Sequence, residues 1–172
     1  MKEFALDMVP EYQRPMIYVY NMVALIDTGA IVPVFTMSKE FIEKGFNAKL
    51  LLEEAQFGSF SGEIHGSVYS VPKFKVGSFL FEPLEVFLPN EPSLHFPFLL
   101  SATMFYGFAY EFDTINNKFI VRLKDNQPLN RKFNILDLKG KLYPQVDGVL
   151  LQSVDDITVG SDFGALGGFF EV

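Results

Sequence analysis

Short apolar runs broken by small and polar residues dominate the sequence, a pattern of strands rather than long helices. Residues 16–26 are strongly β-forming, and Asn21 within them predicts a turn between two short strands. The run stops at Asp27-Thr28-Gly29, a polar loop directly after apolar chain. Ser38 is placed to cap a short helix over 38–45, with Phe41 and Ile42 turned inward and Gly45 ending it. Strands are predicted over 49–57 and 63–71, joined by the small-residue turn Phe57-Gly58-Ser59-Phe60-Ser61-Gly62. Gly77-Ser78 fits a two-residue hairpin turn with glycine first. Residues 79–88 fit a strand in which Pro83 marks an edge or a bulge. Apolar chain over 96–100 leads into a short helix over 101–108, and strands at Ala109–Asp113 and Lys118–Leu123 flank a Thr-Ile-Asn-Asn turn. Many short strands with one or two short helices predict a mainly β, barrel-like domain.

Composition narrows the chemistry. A chain of 172 residues, 49% hydrophobic and 20% charged, suits one folded unit. Its 20 phenylalanines lean towards sheet and point to extended apolar segments as binding partners. A net charge of −7 argues against a nucleic-acid partner, which calls for cations to displace phosphate counterions. With no cysteine, and only His65 and His95 as imidazoles, a disulfide framework, a thiol nucleophile and a multi-histidine metal site are not expected. No cofactor is expected. Ser61, Ser101 and Thr103 lack a partner histidine for a serine-hydrolase arrangement. The N-terminus lacks the continuous apolar core of a signal peptide, and the longest uncharged stretch, 92–110, carries prolines and polar residues that mark it as core. The expectation is a cytoplasmic protein with no membrane partner. Residues 146–172 hold Asp147, Asp155, Asp156, Asp162 and Glu171 but no Lys or Arg, and read as a flexible acidic appendage.

The informative element is Leu25-Ile26-Asp27-Thr28-Gly29-Ala30, where an apolar strand delivers a carboxylate to a tight turn. Alone, the Asp-Thr-Gly triplet is also compatible with an ordinary turn. Two further landmarks follow it in order. They are Phe57-Gly58-Ser59-Phe60-Ser61-Gly62 and Phe98-Leu99-Leu100-Ser101, the second leading to the Tyr110-Glu111-Phe112-Asp113 strand. Over about residues 15–123 this arrangement resembles the retroviral-type aspartic proteases, the retropepsins, and is nearer to their bacterial members than to the viral ones. There are departures. Ser101, Ser59 and Ser61 replace family glycines, and Ile31 and Ala102 stand where viral members pair an Asp with an Arg. Losing both charges together avoids stranding one of them.

The resemblance implies a closed acid-protease barrel over 1–124, with 125–172 as a C-terminal extension of unassigned role. It implies a homodimeric aspartic endopeptidase in which Asp27 is the catalytic group, one from each subunit. Thr28, Gly29 and Ala30 would support the active-site loop. Phe57, Gly58, Ser59, Phe60, Ser61 and Gly62 would form a flap over an extended peptide or protein substrate. The second carboxylate must come from another copy, because Asp147-Gly148 lacks the hydroxyl residue and too little chain follows it for a second lobe. The alternative is a non-catalytic peptide-binding module that retains the same fold.

Overall fold

The computed structural model describes residues 2–10, 14–59, 62–91 and 96–151, with 57–59 described through their backbone. In chain order the elements are β1 (Lys2–Asp7), β2 (Met16–Val19), β3 (Met22–Asp27), β4 (Val34–Phe35), α1 (Lys39–Gly45), β5 (Lys49–Ser59), β6 (Gly62–Val71), β7 (Phe74–Val76) and β8 (Phe79–Pro89). They continue with β9 (Phe98–Ser101), a 3-10 turn (Ala102–Phe105), β10 (Ala109–Asp113), β11 (Lys118–Leu123), β12 (Asn130–Leu138), β13 (Lys141–Val146) and β14 (Val149–Leu150). The fold is mainly β. Among the described residues no helix is long and apolar enough to cross a membrane.

Two sheets contain these strands. β1, β11 and β10 form a small antiparallel one. The larger follows the path β14-β13-β12-β8-β4-β9-β3-β2, with β5, β6 and β7 attached beside β8. β8 is the hub. Antiparallel β7 and then β6 pair with its successive halves, while β12 and β4 pair with it in parallel. Pro83 sits where the β7 pairing gives way to β6, and the register against β12 shifts at the same level. Of the two expectations for Pro83, the bulge is correct. The edge is not, because β8 is central and the irregularity itself absorbs the missing N–H.

Local chemistry explains the turns. Tyr20 and Asn21 take φ of 52° and 61°, the left-handed pair that joins β2 to β3. Asparagine tolerates this conformation, whereas tyrosine needs help from tertiary contacts. The Tyr20 ring lies 5.2 Å from both Phe46 and Phe74, and its hydroxyl accepts the Lys75 N–H at 2.8 Å. Gly77 has φ +58° in the β7–β8 turn, and a Cβ there would lie 2.5 Å from Leu6 of β1. At the β10–β11 turn, Asn116 and Ile115 donate to the Asp113 carboxylate and hold it below the usual carboxylate range.

The core is aromatic. Phe35, Phe74, Phe79, Phe81, Phe87, Phe98, Phe105, Phe119 and Phe133 are all essentially inaccessible, and they meet edge-on or tilted, as Phe35 and Phe98 do at 4.8 Å. Much of the phenylalanine content therefore goes into packing the core. Ser38 caps α1 through its hydroxyl, which accepts the Phe41 N–H at 3.2 Å. Ile42 is fully buried, but Phe41 is 47% exposed, so only one of the adjacent pair can face inward. Asn47, at φ 57°, turns the chain out of the helix, a role expected of Gly45. The helix expected over 101–108 is a single 3-10 turn, because the Ser101 backbone already belongs to β9 and Gly107 takes φ +87°.

Residues 130–151 extend the large sheet. β12 lies parallel to β8, and Phe133, Ile135, Leu142, Val146 and Leu151 are buried in the common core. Arg131 fastens this segment to the 3-10 turn: its Nη1 donates to the carbonyls of Met104 at 2.9 Å and Tyr106 at 2.8 Å. Its guanidinium lies 4.1 Å from the Phe108 ring centroid, and its Nε faces the Asp147 carboxylate at 3.3 Å. Burial pushes the Arg131 pKa down, and Asp147 opposes that shift. The acidic appendage expected over 146–172 lies outside the described residues from 152 onward.

Candidate active site

Strand β3 is buried at Ala24, Leu25 and Ile26 and reaches the half-buried Asp27 as its last residue. The Gly29 N–H donates to Asp27 Oδ1 at 2.9 Å, and the Ala30 N–H to the Asp27 carbonyl at 3.2 Å. Together these bonds close the tight turn predicted for Asp27-Thr28-Gly29. Thr28 is half-buried, Gly29 exposed and Ala30 buried. β3 runs parallel to β9 with Asp27 opposite Ser101, which brings the first and third sequence landmarks side by side.

Beneath the turn lies a pair of buried hydroxyls that the sequence did not mark as a unit. Ser101 and Thr103 are 0% and 1% exposed, with 2.7 Å between their oxygens. Thr103 Oγ1 donates to the carbonyl of Ile31 at 2.6 Å. A hydroxyl has one proton, so Ser101 is the donor to Thr103. The relay Ser101 to Thr103 to Ile31 ties the loop after Asp27 to the strand opposite it. Ile31 packs against the core and Ala102 is buried. Neutral hydrogen bonds thus bridge the two segments at the level where the resemblance places an ion pair.

The second landmark is a hairpin. Gln56 pairs with His65, Phe57 with Ile64, Gly58 with Glu63 and Ser59 with Gly62. Gly62 takes φ +115°, which glycine alone adopts readily. Phe60 and Ser61, at the tip, lie outside the described residues, and Phe57, Gly58 and Ser59 are placed by their backbone pairing alone. β6 leaves the sheet at Gly66, opposite Pro89 of β8, where a Cβ would fall 2.2 Å from the Leu88 carbonyl oxygen. One further bond, Asn90 N–H to the His65 carbonyl at 2.9 Å, ends this contact. From there the β5–β6 ribbon is two-stranded.

A cavity of about 370 Å³ joins these parts. Gly29 and Ile31 of the turn form one wall, Gln56 and Glu63 of the ribbon another, and Gly140, Lys141, Leu142 and Tyr143 of the β12–β13 hairpin the third. A second cavity of about 540 Å³ shares Gln56 and Gly140 and is lined also by Glu53, Glu54, His65, Asn90 and Asp137. The Asp147 carboxylate is engaged elsewhere, accepting the Lys132 N–H at 2.8 Å and facing Arg131. Among the described residues, no three His, Asp or Glu side chains are placed to hold a metal ion. Chemically, the arrangement offers a carboxylate, oriented by a backbone N–H, in a turn that shares a cavity with the β5–β6 ribbon.

No protein-family model matches the sequence, and no curated protein matches it either. Among solved structures, the chain is similar to a retropepsin-like aspartic protease from Rickettsia conorii, with a TM-score of 0.47 and 18% identity. The match covers 70% of this chain and 89% of that one.

Proposed function

We propose that this protein is an aspartic endopeptidase that works as a homodimer, with one Asp27 from each subunit at the subunit axis and each chain in the closed retropepsin-type barrel. The observation that carries the reading is the Asp27-Thr28-Gly29 turn, at the end of β3 beside parallel β9 and sharing a cavity with the β5–β6 ribbon. In the dimer the two carboxylates share one proton, because like charges at contact distance do not both ionise readily. The ionised member takes a proton from a bound water, and the protonated member donates to the scissile carbonyl oxygen. Their titration belongs to the pair. Thr28 links the two active-site loops across the axis. Residues Phe57 to Gly62 close over the substrate backbone by strand addition. The engagement of Asp147 with Arg131 and Lys132 supports a second copy of Asp27 as the other carboxylate.

The test is cleavage of an unfolded protein by wild type and by Asp27→Asn, from acidic to neutral pH. Asp27→Asn should lower kcat by at least about a thousandfold while thermal unfolding stays within a few degrees of wild type. Equal cleavage by both proteins overturns the mechanism. Folded dimers that bind peptide but do not cut it turn the assignment to a non-catalytic peptide-binding module.

A further inference from the structure

We infer that Arg131 of β12 is a positioning residue for the Asp27 turn and acts through the 3-10 turn Ala102–Phe105: Arg131 holds that turn, and its Thr103 holds the loop after Asp27. Arg131 lies beyond residue 124, in the segment to which the sequence resemblance assigns no role. The chain leaves β9 at Ser101, makes the single 3-10 turn and bends again at Gly107. All four residues of the 3-10 turn are buried. A turn this short closes few bonds of its own, here Tyr106 N–H to the Thr103 carbonyl at 3.1 Å, and leaves the carbonyls at its end without partners inside it. Buried carbonyls need a donor from elsewhere in the protein. Arg131 supplies it: the two protons of Nη1 go to the carbonyls of Met104 and Tyr106, at 2.9 and 2.8 Å.

The guanidinium is itself fixed. Its side chain is 8% exposed, with the Phe108 ring over it and the Asp147 carboxylate at Nε, and Asp147 is tied in turn by the Lys132 N–H. Across the ladder Arg131 pairs with Phe81, whose ring meets Phe105 edge-on at 6.3 Å, so β12 and its partner grip the same 3-10 turn. A buried guanidinium is a poor source of stability, because it gives up its hydration and an apolar side chain would fill the space at less cost. What it adds is direction, since a rigid planar group sets where both carbonyls lie. At its start the 3-10 turn continues β9, where Ser101 lies opposite Asp27, and Thr103 Oγ1 donates to the Ile31 carbonyl at 2.6 Å. Gly29 and Ala30, whose amides close the turn on Asp27, directly precede Ile31. A shift of the 3-10 turn therefore releases the Asp27 turn. The effect on catalysis rests on the peptidase reading, whereas the mechanical link stands without it.

The experiment compares the full-length wild type with Arg131→Met, which keeps an apolar stem and removes the donors, and with Arg131→Lys, which restores a cation without the planar fork. Asn134→Ala is the control, because it removes a bond between β12 and Glu85 of β8 and none to the 3-10 turn. Amide exchange at Gly29 and Ala30 is read against the slowest amides of β8, and kcat and KM are measured on an unfolded protein substrate. Arg131→Met should speed exchange at the two amides about tenfold more than in β8, and lower kcat about tenfold with KM little changed. Arg131→Lys should recover part of both effects, and Asn134→Ala should produce neither. Exchange at Gly29 and Ala30 that rises only in step with β8, or a fall in kcat with that exchange unchanged, overturns the inference and leaves the peptidase reading in place. If Arg131→Met does not fold, Arg131→Lys carries the test: the two amides should still exchange faster than in wild type, and equal exchange overturns the inference. If wild type cuts nothing while exchange follows the expected order, the positioning role stands and the peptidase reading falls.

Discussion

Thr103 holds the loop after Asp27 with a single proton, and its loss should be legible in isolation. Thr103→Val keeps the shape of the side chain but leaves the Ile31 carbonyl and the Ser101 hydroxyl without their buried partner. The expected cost is about 1–3 kcal/mol of stability, measured by denaturant unfolding, with faster amide exchange at Gly29 and Ala30. Thr103→Ser restores the donor and should recover most of both. A valine variant as stable as wild type would show the relay to be dispensable. Asp27 could be read from the sequence because its neighbours spell the motif in order. Thr103 could not, since its partner Ile31 is 72 residues away and either hydroxyl alone looks like any other.

At the scale of elements, the alternation of apolar and polar residues located most strands, and the β10–β11 hairpin falls where it was expected. Partners were harder to read. β1 carries Lys2, Glu3 and Asp7 among its apolar residues and has no clear strand signal, yet it pairs with β11 along its whole length. Its charges are satisfied across the sheet, Asp7 by Lys118 and Glu3 by Arg122, and Arg122 also meets Glu111. Periodicity reports which face of a strand is buried and says nothing of which strand lies alongside. The same limit hid the role of β12–β14. We expect a chain ending at Lys124 to lose the β8–β12 ladder, the Arg131 clamp and the buried Phe133 together. It should show no cooperative unfolding transition by circular dichroism. A fragment 1–124 that unfolds cooperatively would make the remainder a true appendage.

For the whole molecule, the shared dyad has a stoichiometric signature. Mixing equal amounts of wild type and Asp27→Asn, with time for subunit exchange, should leave about a quarter of the wild-type activity if each site takes one Asp27 from each chain. Chains acting independently would retain half. The succession of short strands conveyed the mainly β class and the landmarks the location of the turn, because both depend on local sequence. The third wall of the cleft depends on long-range pairing, and only the assembled sheet brings Tyr143 near Ile31. The position of β8 has a consequence for how that sheet comes into being. Its partners run from Val34 to Phe133, so one edge of its ladder joins residues distant along the chain. Such a topology folds slowly, since loop closure is paid before the contacts that reward it. During synthesis, the Leu80–Leu84 part of the β8 edge that β4 also uses waits without its partner until β12 follows it. In that interval the nascent chain is exposed to association with other strands.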